Sequence, residues 1–163
     1  GWIYDGAALT LKDQTAEQLA EFKLVTRVTL ENLLRGWWKQ QGATLSYAGR
    51  REAASIGRRN EAVRLTYQDG FWVEYEFAAD DGIPAKVLYQ RKQPNRDTEE
   101  LEVIKEEDRL HKLITIDGIV APFIIDHYRN GTQTSRIAYE TVEYNKTLPD
   151  SLFAKPASVK AVK

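Results

Sequence analysis

Apolar positions along this chain fall into two periods, and the change between them divides it. From residue 15 to about 41, Leu19, Phe22, Val25, Leu30, Leu33, Leu34, Trp37 and Trp38 recur at three- and four-residue steps. That spacing places them on one stripe of a helix. Thr15 with Gln18 three residues on reads as a capping box, and Glu17 and Glu21 sit where the helix dipole favours negative charge. The β-branched stretch 24–30 marks a place for a break, and Gly42 is a good stop. The reading is one long helix or two.

After Gly42 the period becomes two. Leu45 and Tyr47 alternate with small polar residues, and a short second run is expected at 54–58. Val63, Leu65 and Tyr67 share a face, and Asp69-Gly70 makes a tight turn. Phe71, Val73, Tyr75 and Phe77 then continue that face, opposed by Glu74 and Glu76. A turn at 80–84 leads to Ala85, Val87 and Tyr89, residues 93–100 read as a loop, and 103–116 is mixed with an acidic run at Glu106, Glu107 and Asp108. Two strands, 119–129 and 133–144, meet at Asn130-Gly131, a dipeptide that accepts the positive φ angles of hairpin turns. Consecutive hairpins predict an antiparallel meander of about seven or eight strands beside the helical segment, an α+β fold. The stretch 147–156 reads as an apolar strap packed on the sheet, followed by a small, basic tail over 157–163 expected to fray.

The chain has 163 residues, 42% apolar and 29% charged, enough for one packed domain, assigned to residues 1–156. A formal charge of −1 argues against a nucleic-acid partner, and no apolar run is long enough to span a bilayer. With no cysteine, disulfides, thiolate metal sites and cysteine nucleophiles drop out. Methionine is absent even at position 1, so the chain is read as part of a longer product from which an export signal would already be gone.

Catalytic chemistry finds little support. His111 and His127 are the only histidines, with no spacing that suits a metal, and no glycine-rich phosphate loop or nucleophile elbow occurs. Asp126 and His127 are neighbours in a predicted strand and so face opposite ways. Asp117 and Asn130 are most simply turn residues. The doublets Arg50-Arg51 and Arg58-Arg59 read as a solvated face or edge, although arginine forks also suit phosphate or carboxylate. The feature above background is aromatic load, eight tyrosines, five phenylalanines and four tryptophans, which fits a sheet face larger than one helix can fill.

In the last third, Ile116-Asp117-Gly118-Ile119, then Ala121-Pro122, then Tyr128-Arg129-Asn130-Gly131 resembles a hairpin of the bacterial outer-membrane lipoprotein-sorting-protein-like (LolA/LolB-like) families. The run Val142-Glu143-Tyr144-Asn145 followed by 148–156 is similar to their usual ending, and Gly57-Arg58, Tyr67-Gln68-Asp69-Gly70 and Ile83-Pro84-Ala85-Lys86 to their middle strands. The resemblance implies a curved antiparallel sheet, an incomplete barrel, with one or two helices packed on the concave face. It also implies a periplasmic or envelope location, no cofactor and no metal, and an apolar cavity for a lipid or lipoprotein acyl chain. The family's usual opening helix and strands are missing before Trp2, leaving a sheet edge open to another protein chain. The expected ligand-binding set is Trp37, Trp38, Val63, Leu65, Tyr67, Phe71, Val73, Tyr75, Phe77, Val87 and Tyr89. The rival expectations are an interaction module without a cavity and, third, a hydrolase using His111 or His127.

Overall fold

The computed structural model describes residues 1–5, 7–54, 56–95, 98 and 100–156. The chain divides into two compact units, residues 1–27 with 143–163, and residues 28–142.

The first unit holds a hairpin that the periodicity did not announce. Strands β1 (Trp2–Asp5) and β2 (Thr10–Asp13) pair antiparallel. Asp5 Oδ1 accepts the backbone N–H groups of Ala7 and Ala8 at 3.0 Å each, an Asx turn that starts the reversal. Helix α1 (Ala16–Val28) then begins at the capping box expected from the sequence. Thr15 N donates to Gln18 Oε1 at 2.9 Å and Gln18 N donates back to Thr15 Oγ1 at 3.2 Å. Towards the C-terminus a 3₁₀ turn (Asp150–Phe153) lies in the expected strap. Leu148, Leu152 and Phe153 are exposed. Within this unit the strap is tied by Lys155 Nζ to Asp13 Oδ1 at 2.7 Å and by Trp2 Nε1 to the Phe153 carbonyl at 3.4 Å. The expected tail, 157–163, lies outside the described residues.

The second unit is a seven-stranded meander. The helical segment breaks after Val28, and Thr29, extended at φ −64° and ψ 147°, caps α2 (Leu30–Leu34) by accepting from Asn32 N at 3.2 Å. Gly36, at φ 70°, reverses the chain into a 3₁₀ turn (Trp37–Lys39). Then follow β3 (Thr44–Glu52), β4 (Arg59–Thr66), β5 (Trp72–Ala78), β6 (Pro84–Pro94), β7 (Leu101–Ile116), β8 (Ile119–Arg129) and β9 (Thr132–Ala138). They pair in chain order, all antiparallel, so β3 and β9 are the two edges.

The fold class is α+β as expected, but the sheet is open and uncurled rather than curved into a trough. The described residues of 54–58 form no strand, because that stretch is the connection between β3 and β4. The mixed stretch 103–116 belongs to one 16-residue strand. Strand β9 stops at Ala138, short of the predicted 144. Among the described residues no helix is long and apolar enough to cross a membrane.

Register sorts the side chains onto two faces. Leu65 opposes Val73, which opposes Tyr89, and Val63 opposes Tyr75, which opposes Val87, so these six share one face. Asn60, Ala62, Arg64, Glu74, Glu76, Lys86 and Arg109 belong to the other. On the first face α2 lies over the sheet: Asn32 Nδ2 donates to the Tyr67 hydroxyl at 2.7 Å, and the Tyr75 hydroxyl donates to the Thr29 carbonyl at 3.2 Å.

Candidate functional site

Nine of the eleven expected ligand-binding residues lie on or beside β4, β5 and β6, and the structure brings them together on the face under α2. Leu65, Val73 and Tyr75 are wholly inaccessible, and Tyr67, Val87 and Tyr89 are buried. Val63, Phe71 and Phe77 are half-buried. Phe71 joins two of the tyrosines, its ring centroid 5.8 Å from Tyr67 and 6.1 Å from Tyr89. Burial pushes the Tyr75 hydroxyl well above its ordinary pKa, so it stays protonated and donates. These residues therefore form a packed core beneath α2.

Trp37 and Trp38 occupy the 3₁₀ turn after α2 and part as adjacent helical positions must. Trp38 is half-buried, and its indole N–H donates to the Leu33 carbonyl at 3.2 Å. Trp37 is 48% exposed under the Arg35 guanidinium. The same face runs out onto β3, where Leu45 opposes Leu65 and Tyr47 opposes Val63. Leu45 is 45% and Tyr47 66% exposed. Neither stood in the expected set, although their alternation was legible.

Beyond β6 the first face turns polar. Glu106, on β7 opposite Tyr89, is buried among cations from both neighbouring strands. Its Oε1 accepts from Arg91 at 2.9 Å and Arg129 Nη2 lies 3.1 Å away. Burial pushes the Glu106 carboxyl up, but the hydrogen bonds from Arg91 and Arg129 outweigh it and hold it below the usual range. His127 stands between two carboxylates, Nδ1 2.5 Å from Asp108 and Nε2 3.0 Å from Glu106. Asp126 faces the other way, as its neighbour position requires, and takes a two-pronged contact from Arg136 at 2.6 and 2.8 Å. His111 Nε2 lies 3.5 Å from Asp126 Oδ2, so the two histidines belong to separate ion-pair clusters. Among the described residues, no group of three acidic or histidine side chains converges as a metal site would need.

The opposite face carries what the sequence reading missed. Glu74 and Glu76, placed opposite the apolar run by their alternation, are 3% and 2% exposed. Arg64 pairs with Glu74 and stacks over Trp72 at 4.4 Å, while Arg51 reaches Glu74 at 3.6 Å. Glu76 is held by Asn60 Nδ2 at 2.9 Å and Lys86 Nζ at 2.7 Å. Long cationic side chains reach both carboxylates, arginines at Glu74 and a lysine at Glu76, which is how acids become inaccessible on a sheet face. Among the described residues no buried side-chain polar atom lacks a partner. A cleft of about 350 Å³ opens beside this network between the β3–β4 connection and β7, and none of the expected ligand-binding residues lines it.

No family model, no curated protein and no solved structure matches this chain.

Proposed function

We propose that this chain is a non-enzymatic domain of the bacterial envelope, LolA/LolB-like in kind, that holds a lipid or a lipoprotein acyl chain against the apolar face of its sheet. The observation that supports the reading is that this face outruns its cover. Leu65, Val73 and Tyr75 are sealed, while Leu45 and Tyr47 on the same face, and Trp37 in the turn after α2, stay open to water. An acyl chain laid over Leu45 and Tyr47 gains roughly 25 cal/mol for each Å² of apolar surface removed from water, before ordering costs. The cover is small as well. Helix α2 has five residues, joined to the strands below by the Asn32–Tyr67 and Tyr75–Thr29 hydrogen bonds. Lifting it extends the apolar strip to Tyr67, Val87 and Tyr89.

A lipid-analogue dye that brightens in apolar surroundings tests this. Saturable binding, displaced by fatty acid and weakened by Leu45→Asp, is the expected result. A flat titration with protein that still melts cooperatively overturns it.

A second reading, a protein-interaction module, draws on the edge strand β9, all seven of whose residues are exposed. Such an edge accepts a strand from another chain. It predicts a mass that rises with concentration in light scattering, without dye binding.

A further inference from the structure

We propose that two copies of this chain pair edge to edge through β3, antiparallel about a two-fold axis at Ser46.

The direction of each backbone group in β3 follows from the hydrogen bonds on the far side of β4. Tyr67 N–H donates to the Phe71 carbonyl at 2.8 Å, and Ala79 N–H to the Arg59 carbonyl at 2.9 Å. Val63 and Leu65, in step with Arg59 and Tyr67, therefore bond to β5, and Arg64 and Thr66 bond to β3. Ser46 and Thr44 lie opposite Arg64 and Thr66 and spend their N–H and C=O groups on them. Leu45 and Tyr47 direct theirs outward, where no strand lies among the described residues.

This stretch is unguarded. From Ala43 to Gly49 there is no charged residue and no proline. Thr44, Leu45, Ser46 and Tyr47 are all exposed. Edge strands are commonly blunted by a charge, a proline or a bulge, and here the bulge comes only at the end, between Tyr47 and Gly49. The other edge, β9, carries Arg136, so two copies of it bring like charges close together. Edge β9 suits a different chain, whereas β3 suits itself.

The free groups fix the register. With Ser46 opposite its copy in the second chain, Leu45 meets Tyr47 on each side of the axis, and each pair exchanges both of its hydrogen bonds. Leu45 and Tyr47 share a face, so their apolar side chains sit beside those of the second copy. A register centred on Leu45 sets Tyr47 against Ala43, whose N–H is already given to the Trp38 carbonyl at 3.1 Å. One centred on Tyr47 sets Leu45 against Gly49, which lies past the bulge and turns back to Ala62. Pairing occupies the edge and leaves the apolar face open, so it neither needs nor excludes an acyl ligand.

The chain has no cysteine, so one introduced thiol reports the pairing. Ser46→Cys puts two thiols at the non-hydrogen-bonded position on the axis, with Cα atoms about 4.5 Å apart, a distance that a disulfide spans. Thr44→Cys, an exposed site on the same side of the same strand, puts them roughly 14 Å apart at about 3.4 Å of rise per residue. In a glutathione redox buffer, a covalent dimer is expected to form at least about tenfold faster from Ser46→Cys than from Thr44→Cys. In sedimentation, the mass of the parent is expected to rise with concentration. That of Ser46→Lys, which opposes two ammonium groups across the axis, is expected to stay monomeric. Both positions are exposed, so the variants should melt like the parent. Equal cross-linking at the two positions, a parent that stays monomeric throughout, or a mass that rises unchanged in Ser46→Lys overturns the proposal. None of these readouts uses the lipid dye, so failure of the edge and failure of the acyl site are told apart.

Discussion

The side-chain amide of Asn32 donates to the Tyr67 hydroxyl at 2.7 Å, and both residues are buried. This bond joins α2 to the residue that follows β4. Replacing Asn32 by Ala removes it inside the core and also leaves a hole where the amide stood. The expected loss is about 1–3 kcal/mol of stability, read as a lower urea midpoint, with Asn32→Asp no better because it swaps the donor for a charge.

Leu65 and Leu45 face each other across β3 and β4, one sealed and the other open. Leu65→Ala is expected to cost about 2–5 kcal/mol, since its neighbours cannot close the gap. Leu45→Ala is expected to stay within about 0.5 kcal/mol. Equal losses in urea denaturation would mean that Leu45 is covered in solution.

Glu106→Gln tests the tie between β6, β7 and β8. The substitution keeps shape and removes the charge that Arg91, Arg129 and His127 share. The arginines keep some contact with water, so the expected loss is about 1.5–3 kcal/mol, below that of a fully buried pair.

Acid should unfold this protein through three carboxyls. Burial pushes Glu106 and Glu107 up, but Arg91 and Arg129 outweigh it at Glu106, and Arg109 with Lys86 and Lys105 at Glu107; the Arg136 fork holds Asp126 low. A carboxyl whose folded pKa is depressed adds stability above its unfolded value and loses it as pH falls through the folded one. A plateau from about pH 8 down to about pH 5 is therefore expected, then a decline through the ordinary carboxyl values of 4.5 and 3.8 and below. Denaturant midpoints across that range check it, and a rise on acidification would contradict it.

Asn130 sits at φ 49° in the β8–β9 turn, and its Oδ1 accepts the Lys105 backbone N–H at 2.9 Å. Asn130→Ala loses that bond and forces an unfavourable left-handed residue, for about 1–3 kcal/mol. Asn130→Gly loses the bond alone and should fall between Ala and the parent in thermal melts.

How much was legible follows the range of each signal. Thr15 with Gln18, Asp69-Gly70 and Asn130-Gly131 act within three or four residues, and the cap and both turns formed where expected. The β1–β2 hairpin escaped notice because four-residue strands carry too little alternation to stand out. Strand β7 looked mixed because each face meets different neighbours: Ile104 is buried with Glu106 and Glu107, while Leu101 and Val103 are exposed.

Alternation by itself determined which residues share a face. It placed Leu65, Val73, Tyr75, Val87 and Tyr89 together, Glu74 and Glu76 opposite them, and Asp126 away from His127. Only the tertiary structure decided what covers each face. Cover comes from partners distant in the chain: Asn32 on Tyr67, Arg64 on Glu74, Arg129 on Glu106. The period of a strand is set by its own backbone, whereas burial depends on which strands and helices lie alongside, and no local pattern encodes that.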